Sequence, residues 1–420
     1  MPQPDDFQGI IEEQISIEDH VYRQTAPGDE PLTTLVTASR AAMEEARPRF
    51  LADLRTLTLI DSPSDDKAGL DAMASQLERF LQRVGMQTSI VEHARGSAIV
   101  GSIEGDNPTA PELLLIGHHD TVHPLGAAQE RTHLEGDKFY GPGTVDMKAG
   151  LLQGIYALEI LAQQGYRDFN KISFLSVPDE EISNRYQVGL IHQMAQTHPL
   201  VLGLEGAGAI GTVVTRRKGC MHYKLTARGL ASHAGSNPER GQNAVLELAH
   251  QIVQAQQFMN WRPGFTINAG PIQGGSKANI VSDFAEIIFD VRFLEPEDQL
   301  ATEEQWRKLL RNQIVPGVKL TLQAEPDWMV PMVATAESLH LAQQVQLITE
   351  NILHTTYQPE TRGGASDCCN TAADGCPSID GLGAIGGGAH TANEYVLLQP
   401  IPDRIALLAG LIVTLTTKKV

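Results

Sequence analysis

Residues 113–122 read LLLIGHHDTV. An apolar run as short as LLLIG marks a strand buried on both faces, the kind that parallel sheets contain between layers of helices. Side chains alternate along an extended segment, so His118 and Asp120 share one direction and His119 faces the other. At the carboxyl end of a parallel strand, that shared direction opens into the crevice where α/β sheets bind ligands. His123, one loop residue further on, is expected to line the loop without entering the site. By itself His118-x-Asp120 fits a satisfied histidine at a strand end as well as it fits a metal ligand.

Working outward, β and α signals alternate. A helical period begins at Ala42 and runs to Leu57, and a second covers Ala68 to Val84, closed by Gly85. DMKAGLLQGIYALEILAQQG (146–165) reads as a helix capped by Asp146, while KISFLSV (171–177) and PLVLGL (199–204) read as further buried strands. At about Arg217 the style changes. CMHYKLTARG, GQNAVLELAHQIVQAQQF, FTINAGPI, FAEIIFDVRF, PEDQLATEEQWRKLLRNQI and VKLTLQAE give a β-α-β-β-α-β order, the ferredoxin-like arrangement. From about Trp328 the first style resumes and ends in a helix from Pro402 to Thr416. The expected fold is therefore α/β: a mostly parallel-sheet domain made of residues 1–216 and 328–420, with residues 217–327 inserted as a ferredoxin-like domain. The first ~35 residues, acidic and Pro-containing, are expected to be a loose arm or short helix.

A chain of 420 residues exceeds the ~250–300 at which single cores stop growing, which agrees with two domains. Its net charge of −19 argues against nucleic acid and anionic membrane, both of which attract basic surfaces, and favours a small-molecule substrate. No apolar run approaches the ~18 residues of a membrane span, and no basic-then-apolar leader opens the chain, so a cytoplasmic location is expected. Cys220, Cys368, Cys369 and Cys376 lack the spacing of a disulfide framework and are expected to be reduced and structural.

Several acidic groups and histidines fall at the predicted strand ends. Glu180 and Glu181 in PDEE follow KISFLSV, and Glu205 follows PLVLGL as a carboxylate against an apolar run, where a buried charge needs a partner. Adjacent carboxylates diverge, so one of Glu180 and Glu181 can hold a cation while the other stands over an open coordination position. Asp146 fits a helix cap or a ligand. His390 lies in a Gly-rich loop where Thr391-x-x-Glu394 makes a capping box. Together, two histidines, three carboxylates and one further Glu suffice for two zinc ions that share a bridging Asp, each with one His and one Glu besides. A phosphate loop in GAIGGGAH or GAGAIG is disfavoured, because neither has the spacing or the following Lys-Ser/Thr.

The segments GHHDTV, YGPGTVDMKAG, PDEE, LEGAG, ASHAGSNPERGQNA, GGASD and GGGAHTANEYV occur in that order over residues 50–415. In this they resemble the di-zinc metallopeptidases that include glutamate carboxypeptidase (carboxypeptidase G), aminoacylase, acetylornithine deacetylase and succinyl-diaminopimelate desuccinylase. The resemblance implies that His118 and Glu205 bind one zinc, His390 and Glu181 the other, and that Asp146 bridges; Co2+ or Mn2+ are possible substitutes. It implies that Asp120 orients His118, that Glu180 is the general base, and that His233 reaches in from an inserted lid to polarise the scissile carbonyl. It often comes with an unusual peptide after the bridging residue, here Asp146-Met147. Asn279 and Arg292 match positions that bind a substrate carboxylate, although Arg292 fits a pairing with Asp290 equally well. It also implies a homodimer through the lid. Glu205 and Pro142 tilt the likeness toward carboxypeptidase G, so the expected reaction releases a C-terminal amino acid such as glutamate from a peptidyl or N-acyl substrate. An N-acyl-amino-acid deacylase is the alternative, and a catalytically inactive zinc or small-ligand binder the reading of another class.

Overall fold

The computed structural model describes residues 30–208, 211–258, 261–325, 329–355 and 358–417. The expected N-terminal arm therefore lies outside the described residues up to position 29, as does the domain boundary at Trp328.

The first helix, α1 (Glu30–Thr58), starts twelve residues before the predicted Ala42. Its buried stripe of Leu32, Val36, Ser39, Met43, Phe50, Leu54 and Leu57 keeps the helical spacing, but polar Ser39 hides the early turns from a hydrophobic reading. α2 (Lys67–Arg83) is capped by the Asp66 side chain, which accepts from Gly69 N, and Gly85 follows it with φ +85°.

The large sheet contains β1 (Gln87–Val91), β2 (Ala98–Glu104), β3 (Leu113–His118), β4 (Lys171–Val177) and β5 (Leu200–Gly203). Its order is β1-β2-β4-β3-β5, followed by Ser378–Ile379; β3 is parallel to both β4 and β5, while β1 and β2 add antiparallel pairs at one edge. Every residue of β3 is buried. Leu113 and Leu115 join one core with α1, α3 (Ala149–Gln163) and the C-terminal helix Ile401–Thr416. Leu114 and Ile116 join the opposite core with Ile191, Cys368 and Cys369. The two-sided burial explains the unbroken apolar run, and the alternation carries past it. His119, on the side of Leu113 and Leu115, is fully buried against Ser176 Oγ at 2.9 Å, and burial lowers its ring to about 4.

Residues 219–324 form a separate antiparallel sheet of β6 (Gly219–Arg228), β7 (Thr266–Gly274), β8 (Phe284–Phe293) and β9 (Lys319–Ala324), in the order β7-β8-β6-β9. β8 alternates strictly between half-buried and buried positions. Its inward residues Phe289 and Val291 pack with Leu248 of the helix Ala244–Gln256 and Trp306 of the helix Glu297–Leu309. The four cysteines form no disulfide, and Cys220, Cys368 and Cys369 are buried. Among the described residues no helix is long and apolar enough to cross a membrane.

A small antiparallel sheet that the sequence reading did not foresee joins distant loops. Strand Tyr395–Leu397 pairs with Lys138–Tyr140 on one side and with Gly386–Gly387 on the other. It brings the turn before α3 next to the loop that carries His390.

Packing around the sheet's carboxyl edge leaves little tolerance. A Cβ on Gly150, in the first turn of α3, would lie 1.9 Å from the carbonyl oxygen of Leu204, the residue before Glu205. Alanine favours helices over glycine by about 1 kcal/mol, so propensity alone predicts stabilisation. A backbone clash outweighs that gain. Gly150→Ala should lower the urea midpoint of unfolding by the equivalent of about 1–3 kcal/mol; a raised midpoint would show that the strand end is not held against the helix.

Candidate metal centre

Three adjacent parallel strands deliver side chains to one edge. β3 ends in His118, β4 leads through Asp179 into a single 3-10 turn at Glu180–Ile182, and β5 is followed by Glu205. Asp146 arrives from the turn before α3. The expected helix cap is not there: Asp146 has non-helical φ −128° and ψ 83°, and α3 begins only after Lys148 without a side-chain cap. Its peptide bond to Met147 is cis. Met147 tucks under Gly117, where a Cβ would sit 2.3 Å from the Met147 methyl and push that side chain aside.

The freed Asp146 carboxylate stands between two histidines. Oδ1 lies 3.1 Å from His118 Nε2, and Oδ2 lies 3.1 Å from His390 Nε2. Glu205 Oε1 approaches His118 Nε2 at 3.5 Å, and Glu181 Oε2 approaches His390 Nε2 at 3.2 Å. His118, Asp146 and Glu205 form one group able to hold a metal ion, and Asp146, Glu181 and His390 form another. The donor set fits. Ligand bonds of about 2.0–2.1 Å in a tetrahedron put neighbouring donor atoms roughly 3.3 Å apart, and the four separations cluster about that length. Glu180 Oε2 stands 3.9 Å from His118 Nε2, beside the groups without belonging to either.

Asp120 organises this edge from behind. Fully buried, it meets His118 Nδ1 with its main-chain carbonyl at 3.1 Å and a carboxylate oxygen at 3.2 Å, which directs Nε2 toward Asp146. Its two oxygens also accept from the backbone amides of Glu180 and Glu181, both at 3.1 Å, and Oδ2 accepts from Ser64 Oγ at 2.7 Å. One residue thus sets the histidine and both glutamates.

The crowding of charge shows in the acidities. Burial would pull the His118 ring down, but hydrogen bonds to Asp120, Asp146 and Glu205 hold it well above the ordinary imidazole value. His390 is pushed up to about 10 by its hydrogen bonds to Asp146 and Glu181. Burial raises Glu180 well above the carboxylate range and Glu181 to about 7, with His118 and His390 respectively opposing. Burial would also raise Asp146, but its two histidines win and keep it ionised. Carboxyls pressed together in this way gain from a cation set among them.

Residues expected on the inserted unit lie apart from this cluster. His233 is exposed, its Nδ1 accepting from Gly235 and Ser236 amides at 3.1 and 3.0 Å. Asn279 is exposed beside it, its carbonyl accepting from Ala234 N at 3.0 Å. Among the described residues no hydrogen bond or ion pair joins either to the centre. Of the two readings of Arg292, the pairing is the one present: its fork holds Asp290 through Nε–Oδ1 and Nη2–Oδ2, both 2.8 Å.

Two residues near the centre, Arg217 and Asp367, had no role in the sequence reading, and a third, Glu394, had a different one. Arg217 is buried with Nε on Asp380 at 2.8 Å, Nη1 on the carbonyls of Gly364 and Ala365, and Nη2 4.0 Å from Glu205 Oε2. Asp367 is buried, takes a 2.9 Å hydrogen bond from Asn184 Nδ2, and is raised to about 8 by burial, with His118 opposing. It belongs to the quoted GGASD segment, a signal that gave no role. Glu394 was assigned to a capping box, but no helix begins there; the residue after it opens strand Tyr395–Leu397.

The chain belongs to Peptidase family M20/M25/M40, whose profile matches residues 114–414, and it is a metallohydrolase. Carboxypeptidase G2 of Pseudomonas sp. (strain RS-16) is 28% identical over 398 residues, covering 90% of this chain and 92% of that protein. Succinyl-diaminopimelate desuccinylase of Rhodopseudomonas palustris (strain BisB5) is 26% identical over 404 residues, covering 90% and 98%. The fold also matches the crystal structure of aminopeptidase PepT from Bacillus cereus, with TM-score 0.75 and 19% identity over 88% of this chain and 98% of that one.

The role of Asp120 is open to direct measurement. Asp120→Asn keeps the shape but presents an amide NH2 to one of its donors, and metal affinity should fall about 10–100-fold. Competition with a chromophoric chelator reads this; an unchanged affinity would remove Asp120 from the account.

Proposed function

We propose that this chain hydrolyses amide bonds at a two-metal centre and releases a C-terminal acidic amino acid, such as glutamate, from peptidyl or N-acyl substrates. The observation that carries the reading is the pair of ligand groups sharing Asp146, with Glu180 beside them. Two zinc ions, or Co2+ or Mn2+ in their place, would be held by His118, Asp146 and Glu205 and by Asp146, Glu181 and His390. There they would lower the pKa of bound water to about 7 and polarise the scissile carbonyl.

The side chains do the rest. Glu180, half-buried beside both ligand groups, takes the proton of the attacking water at a carboxylate oxygen and returns it to the leaving nitrogen. Asp120 keeps His118 and the backbone of Glu180 and Glu181 fixed, so the base does not move as charge develops. His233 would donate to the oxyanion, reaching the centre by closure of the 217–327 unit or from a second subunit. Exposed Val245, Leu246 and Val253 on the helix Ala244–Gln256 support a homodimer through that unit. Asn279, beside His233, would bind the substrate carboxylate; Arg292 would join it only by sharing its fork with Asp290.

The preference for a glutamate-releasing carboxypeptidase rests on Glu205, Pro142 and the likeness to carboxypeptidase G2. The likeness to a desuccinylase supports a second reading, removal of an acyl group from an amino acid. A panel of peptidyl and N-acyl amino acids separates the two: carboxypeptidase action gives the highest kcat/KM with C-terminal glutamate, whereas a deacylase follows the acyl group. Glu180→Gln should retain both metal ions and lose at least about 100-fold in kcat. His390→Ala should lose metal, and full occupancy in that variant would rule out its role as a ligand.

A further inference from the structure

Glu394 lies four residues beyond His390, with only 2% of its surface exposed. Four donors converge on its carboxylate. Oε1 accepts from the amides of Val145 at 2.8 Å and Asp146 at 3.0 Å, and Oε2 accepts from the Gly143 amide at 2.8 Å. His123 Nε2 completes the set at 2.6 Å from Oε2, while Arg131 Nη1 reaches His123 Nδ1 at 3.2 Å. A guanidinium can only donate, so the His123 proton lies on Nε2 and points at Glu394. The Glu394 carbonyl also accepts from Gly141 N at 3.1 Å, continuing the pairing of Tyr395 with Tyr140.

We propose that Glu394 is the positioning residue of the centre: it locks the loop that carries Asp146 to the loop that carries His390. The proposal rests on the reading of the site as a metal centre. In the turn 143–146 only the Thr144 amide bonds to a backbone carbonyl, that of Gly141, and the Glu394 carboxylate takes the other three into an anion-binding concavity. Asp146 could otherwise swing with its turn, since among the described residues its side chain pairs only with His118 and His390. His123 closes the far side of Glu394, which gives it a task away from the metal ions. A residue that merely filled this volume would be replaceable by glutamine. Only a carboxylate offers acceptors on both oxygens, and glutamine turns an NH2 toward groups that are all donors.

The test uses the full chain as wild type, Glu394→Gln and His123→Gln, each stripped of metal and then titrated with Zn2+ and Co2+. Circular dichroism and thermal melting of the metal-free proteins report the fold. Glu394→Gln should keep its secondary structure yet bind Zn2+ at least about 10-fold more weakly, with a changed visible Co2+ spectrum. His123→Gln, which leaves three of the four donors, should show a weakening of a few-fold and serves as the test if Glu394→Gln does not fold. Wild-type affinity and an unaltered Co2+ spectrum in the folded variants would overturn the proposal even if melting temperatures fall. A wild-type chain that takes up no metal would overturn the metal-centre reading, and this proposal with it.

Discussion

The Asp146 carboxylate, held with one oxygen toward His118 and the other toward His390, is the constraint on which the other arrangements depend. The two histidines come from loops 272 residues apart in sequence, one ending the central strand and one on a hairpin of the small sheet. Bringing both to one carboxylate requires the turn 143–146 to leave helical geometry and pass beneath β3. Gly117 clears the space for Met147, Glu394 satisfies the turn's amides, and the pairing of Tyr140 with Tyr395 sets the approach of the two loops.

Such a cluster is costly for a folded chain. Asp120, Asp146, Glu180, Glu181, Glu205 and Asp367 lie close together, and burying like charges favours protonation over ionisation. The surroundings offset this with donors: two backbone amides on Asp120, the Asn184 amide on Asp367, and the Arg217 guanidinium beneath Glu205. What remains uncompensated faces the gap between the two histidines, where the carboxyls are pushed up in pKa and a pair of divalent cations would supply the missing charge. The site's rigidity and its appetite for metal thus have one electrostatic origin.

Much of this could be read from the chain. LLLIG, KISFLSV and PLVLGL are legible because strands buried on both faces are dominated by apolar residues, and strand parity sets His118 and Asp120 apart from His119. Local motifs were weaker guides. An aspartate ahead of a helix looks the same whether it caps that helix or leaves it, and Asp146 leaves it. Thr391-x-x-Glu394 has the spacing of a capping box, yet Glu394 serves a turn nearly 250 residues earlier, a long-range contact to which spacing is blind. Arg217 was invisible for the same reason, its partners Asp380 and Glu205 lying in other segments.

The central claim is that Asp146 joins two metal ions into one centre. Crystals of the zinc-loaded protein, measured on both sides of the zinc absorption edge, test it directly. Two anomalous peaks about 3.5–4 Å apart, with the Asp146 carboxylate between them, are the predicted result. A single peak, or two peaks that Asp146 does not touch, would contradict it.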